Sequence, residues 1–284
     1  MKKMTVLLLM ILPVLSLSAQ REYLPTEEDL EEFHGTKTYV VLKNNPISDY
    51  NFEIRDAMEN YWDLTEYEYL NFDEFQSKLD EPGASFLYTA TVMFEKDKSD
   101  TRYTFLCLSL GGDEPTLEKM RDIVNIPLGF YGVEEDHYSY KLGTLVNFIQ
   151  QHVRMISEDP DLVSQHVFNE YNDNMADISN KTLYLVEEEL EKDIRTEARI
   201  RDVYPYDFKL VTRDEIKQAI MNKDENVVFL HKVGPEGKKL NARVYKILVG
   251  AGDSKFYYFD YHKVKGRTPD AFLEWDLKKL GKAR

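Results

Sequence analysis

A pattern spanning residues 71–112 returns at 212–253, and this internal repeat restricts the possible folds of the chain more than any other feature. At an offset of 141, Asn71 aligns with Thr212, Glu74 with Glu215, Phe75 with Ile216, Leu79 with Ile220 and Leu87 with Val228. Tyr88 then aligns with Phe229, Arg102 with Arg243, Leu106 with Ile247 and Gly111 with Gly252. Further upstream, 38–42 matches 182–186 at an offset of 144. Identity is low while apolar, capping and glycine positions agree. One structural unit used twice leaves that trace, and no catalytic motif is shared between the copies.

Each copy spells the same order of elements. A β-branched and aromatic run, 38–42 or 182–186, is the pattern of a strand buried on both faces. Ile54, Ala57, Met58, Tyr61 and Trp62 then recur on one helical face, as Leu190, Ile194 and Ala198 do in the second copy, where a helix is expected to run to about Val203. A short strand follows (67–70, 208–211). Next comes a helix start, in which Asn71 or Thr212 can cap the first turn while Glu74 or Glu215 reaches back. The segments 86–94 with 103–110, and 227–233 with 243–250, are expected hairpins. Residues 122–130, with Pro127 at a sheet edge, and 255–261 add a last strand to each copy. Leu142, Leu145, Val146, Ile149, Val153 and Ile156 predict an amphipathic helix, and Thr268-Pro269 predicts the start of its counterpart. Strands separated by helices pair in parallel, and hairpins add antiparallel edges. The expected fold class is therefore mixed α/β, two tandem β-α-β-α-β-β-β-α units, each a mixed sheet packed with helices.

The flanks set the remaining boundaries. Lys2 and Lys3, an apolar run from Val6 to Leu17 and the small residues Ser18 and Ala19 have the form of a secretory signal peptide cut after Ala19. The run is shorter than the roughly 20 residues a bilayer crossing needs, so no integral span is expected after cleavage. No cysteine follows it to accept a lipid. The expected organisation is 1–19 signal peptide, 20–36 acidic lead-in with a helix capped by Thr26, 37–157 first unit, 158–180 helical linker and 181–284 second unit. The destination is periplasmic or secreted. Without 1–19 the chain carries 34 Lys and Arg against 51 Asp and Glu, a net charge of −17. That balance excludes nucleic acid, whose phosphates need a basic footprint, and electrostatic docking to anionic lipid.

The chemistry-bearing residues point to few reactions. A single cysteine, Cys107, rules out an internal disulfide, and its apolar setting predicts a buried, inert thiol. No G-x-S-x-G occurs. The histidines His34, His137, His152, His166, His231 and His262 form no H-x-H or H-x-x-x-H pair for a metal. Catalytic, cofactor-binding and metal residues are therefore expected to be absent, and no cofactor is expected. Tyrosine is the one excess, 19 in all. In the last strand of the second copy, Tyr257, Phe259 and Tyr261 alternate with Phe256 and Tyr258. A strand aromatic on both faces serves either as packed core or as a partner-docking edge built on Tyr257, Phe259 and Tyr261.

The order strand, helix, strand, capped helix, hairpin, carried by residues 38–42, 54–62, 67–70, Asn71 and 86–110, resembles the N-terminal domain of the periplasmic translocation protein TolB. It also resembles the related curli-secretion and penicillin-binding-protein-activator lipoproteins. The stretch Tyr-Trp-x-Leu-Thr-x-Tyr-Glu at 61–68 is similar to one in other exported bacterial proteins. The resemblance implies a non-enzymatic envelope domain that binds other proteins. A lipid-attachment cysteine and a following β-propeller are the departures from it. The function expected is that of an exported interaction or scaffold module whose partner is another envelope protein. The alternative is a hydrolase or small-ligand-binding protein, with a site between the units that gathers His152, His166 or several acids.

Overall fold

The computed structural model describes residues 24–94, 97, 100–112, 116–164 and 167–283. The expected signal segment and His166 lie outside them. Thr26 opens α1 (Glu27–His34): its hydroxyl accepts from the Asp29 N–H at 3.1 Å, and the Asp29 carboxylate accepts from the Thr26 N–H at 2.8 Å. The first unit then runs β1 (Lys37–Val41), α2 (Asp49–Tyr61), β2 (Tyr67–Leu70), α3 (Phe72–Ser77), β3 (Ala84–Met93), β4 (Arg102–Leu110), β5 (Arg121–Phe130) and α4 (Leu142–Glu158). A connector containing α5 (Val167–Asp173) leads to the second unit. That unit runs β6 (Thr182–Leu185), α6 (Glu197–Arg201), β7 (Phe208–Leu210), α7 (Arg213–Met221), β8 (Val227–Val233), β9 (Arg243–Gly250), β10 (Phe256–Lys263) and α8 (Glu274–Leu280).

The two sheets share one topology. Their strand orders are β2-β1-β3-β4-β5 and β7-β6-β8-β9-β10. In each, the first strand is parallel to the second and third, and the remaining pairs are antiparallel. The fold is therefore mixed α/β in two tandem units. The capping boxes at Asn71 and Thr212 both form. Gly111 and Gly252 end the hairpins for a steric reason. A Cβ on Gly111 would lie 3.1 Å from the Glu81 carbonyl oxygen, and one on Gly252 2.7 Å from that of Lys223. Pro127 lies on the edge strand β5, where its missing N–H costs no ladder bond.

Strand register corrects the alignment. Leu87 pairs with Leu108 but Val228 pairs with Gly250, so β3 and β8 correspond at an offset of 141 and β4 and β9 at 142. Tyr39 pairs with Phe86 and Thr182 with Val227, which sets β1 and β6 at 143 rather than 144. Tyr103 thus matches Tyr245, and Leu106 matches Leu248 beneath α8; Arg102 and Arg243 are not equivalents. A one-residue slip exchanges the faces of a strand, and strands apolar on both faces carry no alternation that would reveal it.

Two helices also differ from expectation. The segment after β6 is not one helix but two 3-10 turns (Glu187–Glu189, Lys192–Ile194) and the short α6. Tertiary pairing takes its backbone: Phe272 N–H donates to the Glu189 carbonyl at 2.8 Å and Glu191 N–H to the Phe272 carbonyl at 2.9 Å. The last helix starts at Glu274, not Thr268. The Asp276 carboxylate caps Leu273 N–H at 2.9 Å, while the Thr268 hydroxyl donates to the Lys263 carbonyl at 3.0 Å.

The central element is α4. Leu145, Ile149 and Val153 share a core with Val40, Leu87 and Leu106 of the first sheet. The same core takes in Ile216 and Ile220 of α7 and Phe229, Ile247 and Val249 of the second sheet. Phe148 stacks on Phe256 at 3.4 Å between ring centroids. α4 therefore belongs by connectivity to the first unit and by burial to both. No described helix is long and apolar enough to cross a membrane.

Candidate functional site

The seam between the units is bonded as well as packed. Asp97, in the β3–β4 loop, accepts from Arg243 Nε at 2.5 Å and from Lys263 Nζ at 2.7 Å. Burial opposes ionisation of Asp97, but those two cations outweigh it and hold its pKa below the usual value. The Tyr103 hydroxyl accepts from the Arg243 N–H at 2.6 Å and is 3.2 Å from the Arg243 carbonyl. On α4, Gln151 donates to the Asp253 carbonyl at 2.9 Å. His231 Nε2 lies 2.9 Å from the Pro127 carbonyl.

Two cavities lie in this seam among the described residues. The more apolar has a volume of about 290 Å³ and is walled by β5, α4, the connector and the β9–β10 pair. Its walls are aromatic because each element contributes rings at its own period. Phe148 and His152 stand four apart on α4, Phe168 and Tyr171 three apart on α5, and Phe256 and Phe259 come from β10. Phe168 stacks on Phe259 at 4.4 Å. Phe168 is 40 % exposed and Leu24 38 %, so these two form the rim.

At the floor, His152 Nδ1 is hydrogen-bonded to the Tyr171 hydroxyl. The His152 side chain keeps some exposed surface, yet aromatic rings crowd the imidazole on Phe148 and Tyr171. Crowding decides its ionisation: burial pushes the imidazole down to about 4, so the ring is neutral at ordinary pH. Burial likewise raises the Tyr171 phenol. An uncharged donor–acceptor pair therefore sits at the base of an aromatic slot.

The three aromatic residues of the expected docking edge do not share a surface. A β-bulge between Phe256 and Tyr258 breaks the alternation. Phe256 and Phe259 face the aromatic cavity, Tyr257 is 3 % exposed in the core under α8, and Tyr261 is 46 % exposed. The strand edge itself is covered by the connector. The Asn172 side chain accepts from the Phe259 N–H at 2.9 Å and donates to its carbonyl at 3.3 Å. Asn174 donates to the Phe256 carbonyl at 2.9 Å. These amides occupy ladder positions an incoming strand would need. Changing Tyr257, Phe259 and Tyr261 together to Ser is accordingly expected to unfold the second unit, since Tyr257 is core; a folded triple variant by circular dichroism would contradict that placement.

Of the histidines and the aromatic strand singled out in the sequence, His152, Phe256 and Phe259 meet in one cavity. Phe148, Phe168 and Tyr171 were missed, although their i, i+4 and i, i+3 spacings were visible. Cys107 is 3 % exposed and burial pushes its thiol well above the usual range, as an inert core residue requires.

The second cavity, about 630 Å³, is polar and lies at the carboxyl ends of β6 and β8 under residues 128–130 of the first unit. Its Lys232 and Asp270 pair at 2.8 Å, and His137 of the first unit meets Glu236 of the second at 2.7 Å. Comparisons with family models, with curated proteins and with solved structures return no match to this chain.

Proposed function

We propose that the protein is an exported, non-enzymatic binding module whose aromatic cavity takes a neutral, largely apolar small molecule between the two units. The aromatic cavity with its buried His152–Tyr171 pair carries this reading. Ligand pockets are mostly apolar, with a few convergent polar groups and perturbed ionisation. The volume of about 290 Å³ stands at the small end of the roughly 300–1,000 Å³ such pockets span. A neutral imidazole offers a hydrogen bond but no charge, so the slot favours uncharged ligands over carboxylates. Catalysis is disfavoured by the same ionisation, because a general base works best with a pKa near the working pH. Export is supported by the basic start and apolar run of residues 1–19. This reading keeps the envelope binding role and places contact at the seam, since the connector already covers much of the β10 edge.

A neutral naphthylamine probe whose emission rises in apolar surroundings tests it. Wild-type protein is expected to enhance and blue-shift the probe. Phe168→Ala, at a rim position that tolerates truncation, is expected to weaken binding about tenfold, the cost of roughly 1.4 kcal/mol of lost contact. An anionic naphthalenesulfonate of similar size is expected to bind less well. Enhancement that is absent, or equal in wild type and Phe168→Ala, would sink the proposal.

A further inference from the structure

The polar cavity occupies the switch point of the second sheet. From β6 the chain passes to β7 on one side, and α7 returns it to β8 on the other. Connections that leave neighbouring parallel strands in opposite directions open a crevice at their carboxyl ends, where open α/β sheets place ligands. Here that crevice is roofed by the first unit.

Five of the eleven charged side chains on its walls are engaged, Glu236 by His137 among them. Lys232 holds Asp270, and Arg195 donates to the Leu190 and Glu188 carbonyls at 3.0 and 3.1 Å. Glu191 accepts from the Glu274 N–H at 3.0 Å. Two half-buried side chains stand apart. Arg213, the first residue of α7, makes no hydrogen bond or ion pair among the described residues. Glu189 has one carboxylate oxygen, Oε2, that is buried with no donor. Buried polar atoms are nearly always satisfied, and an exception that faces a cavity is open to an ordered water, an ion or a ligand. The lining as a whole is close to electroneutral, six Asp and Glu against five Lys and Arg. Such a wall draws neither a lone anion nor a lone cation, yet among its half-buried charges it presents one open group of each sign.

We infer that this cavity binds a small zwitterion, a free α-amino acid or short peptide. The ligand ammonium donates to Glu189, and its carboxylate accepts from the Arg213 guanidinium, whose planar fork matches two carboxylate oxygens. The inference stands independently of the aromatic cavity and its ligand.

Thermal shift and calorimetry on the full mature chain test it with alanyl-alanine as probe. N-acetylated alanyl-alanine and alanyl-alanine amide, each lacking one charge, serve as controls. The free dipeptide is expected to raise Tm at millimolar concentration and each blocked form to do so at least about tenfold less effectively. Glu189→Gln and Arg213→Gln are each expected to weaken dipeptide binding by a similar factor. The ligand-free Tm of Glu189→Gln should be unchanged or higher, because an unpartnered buried charge has been removed. Three results overturn the inference: no response to the dipeptide, an equal response to the blocked forms, or a ligand-free Tm that falls alike in both variants. The last would mean that Glu189 and Arg213 pair with each other.

Discussion

Asp276→Ala is expected to destabilise the protein by about 3–5 kcal/mol, the usual cost of removing one partner from a buried ion pair. Lys246 is fully buried and Asp276 is 1 % exposed. Asp276 Oδ1 accepts from Lys246 Nζ at 2.6 Å and from the Tyr258 hydroxyl at 2.7 Å, while Oδ2 caps the Leu273 N–H. Burial, and then the Asp276 and Asp260 carboxylates, raise the Tyr258 phenol and keep it a donor. Alanine at 276 therefore strands a helix-start amide and leaves the Lys246 ammonium only Asp260, 4.0 Å away, which the Tyr258 phenol also holds at 3.0 Å. For a chain of this size the loss corresponds to a fall in Tm of about 10 °C. Urea denaturation measures it. Adding Lys246→Met removes the stranded charge and is expected to restore a large part, because the desolvation cost of the pair leaves with it. A loss in Asp276→Ala within about 1 kcal/mol of zero would show the pair to be solvated.

The second large effect is acid sensitivity of the seam. His231 is 1 % exposed, and its Nδ1 has no partner. Burial, with a smaller contribution from the Lys141 ammonium, pushes its pKa down to about 3 against the pull of the Pro127 carbonyl. The folded pKa lies below the unfolded value of about 6.5, so the unfolded chain takes the proton first. Stability is complete above about pH 6.5 and falls as pH drops toward about 3, by about 1.4 kcal/mol per pH unit. Between about pH 6.5 and 5, before most carboxylates titrate, the loss should reach about 2 kcal/mol. His152, lowered to about 4, adds in the same direction. Urea midpoints across this window should decline in wild type and decline about half as steeply in His231→Gln, where His152 still titrates; a wild-type profile flat to about pH 5 refutes the assignment.

Much of the fold is legible in the sequence. The cap at Thr26 and the capping boxes at Asn71 and Thr212 form as spelled, because a cap is a transaction between residues three apart. The α4 stripe and the strands before the hairpins obey periods that need no neighbour to be read. The failures share a cause. The helix expected through Leu190 gave way to pairing with Phe272, which lies 82 residues later. The register of β9 and the bulge in β10 answer to partner strands. Of the aromatic cavity, the sequence marks His152, Phe256 and Phe259 on separate elements, and no local pattern joins the helix residue to the strand.

Sequence alone thus determined the repeated unit and its order of elements, since those rest on local spacing and on a pattern that recurs at nearly constant offset. It also determined the acidic net charge of the chain. Tertiary structure alone decided that α4 serves both units, that Asn172 and Asn174 cover the β10 edge, and that two cavities lie in the seam among the described residues. Those features depend on contacts between residues about 80 to more than 100 positions apart. Such contacts form only after chain folding has offset their entropy of closure, and no periodicity along the chain encodes them.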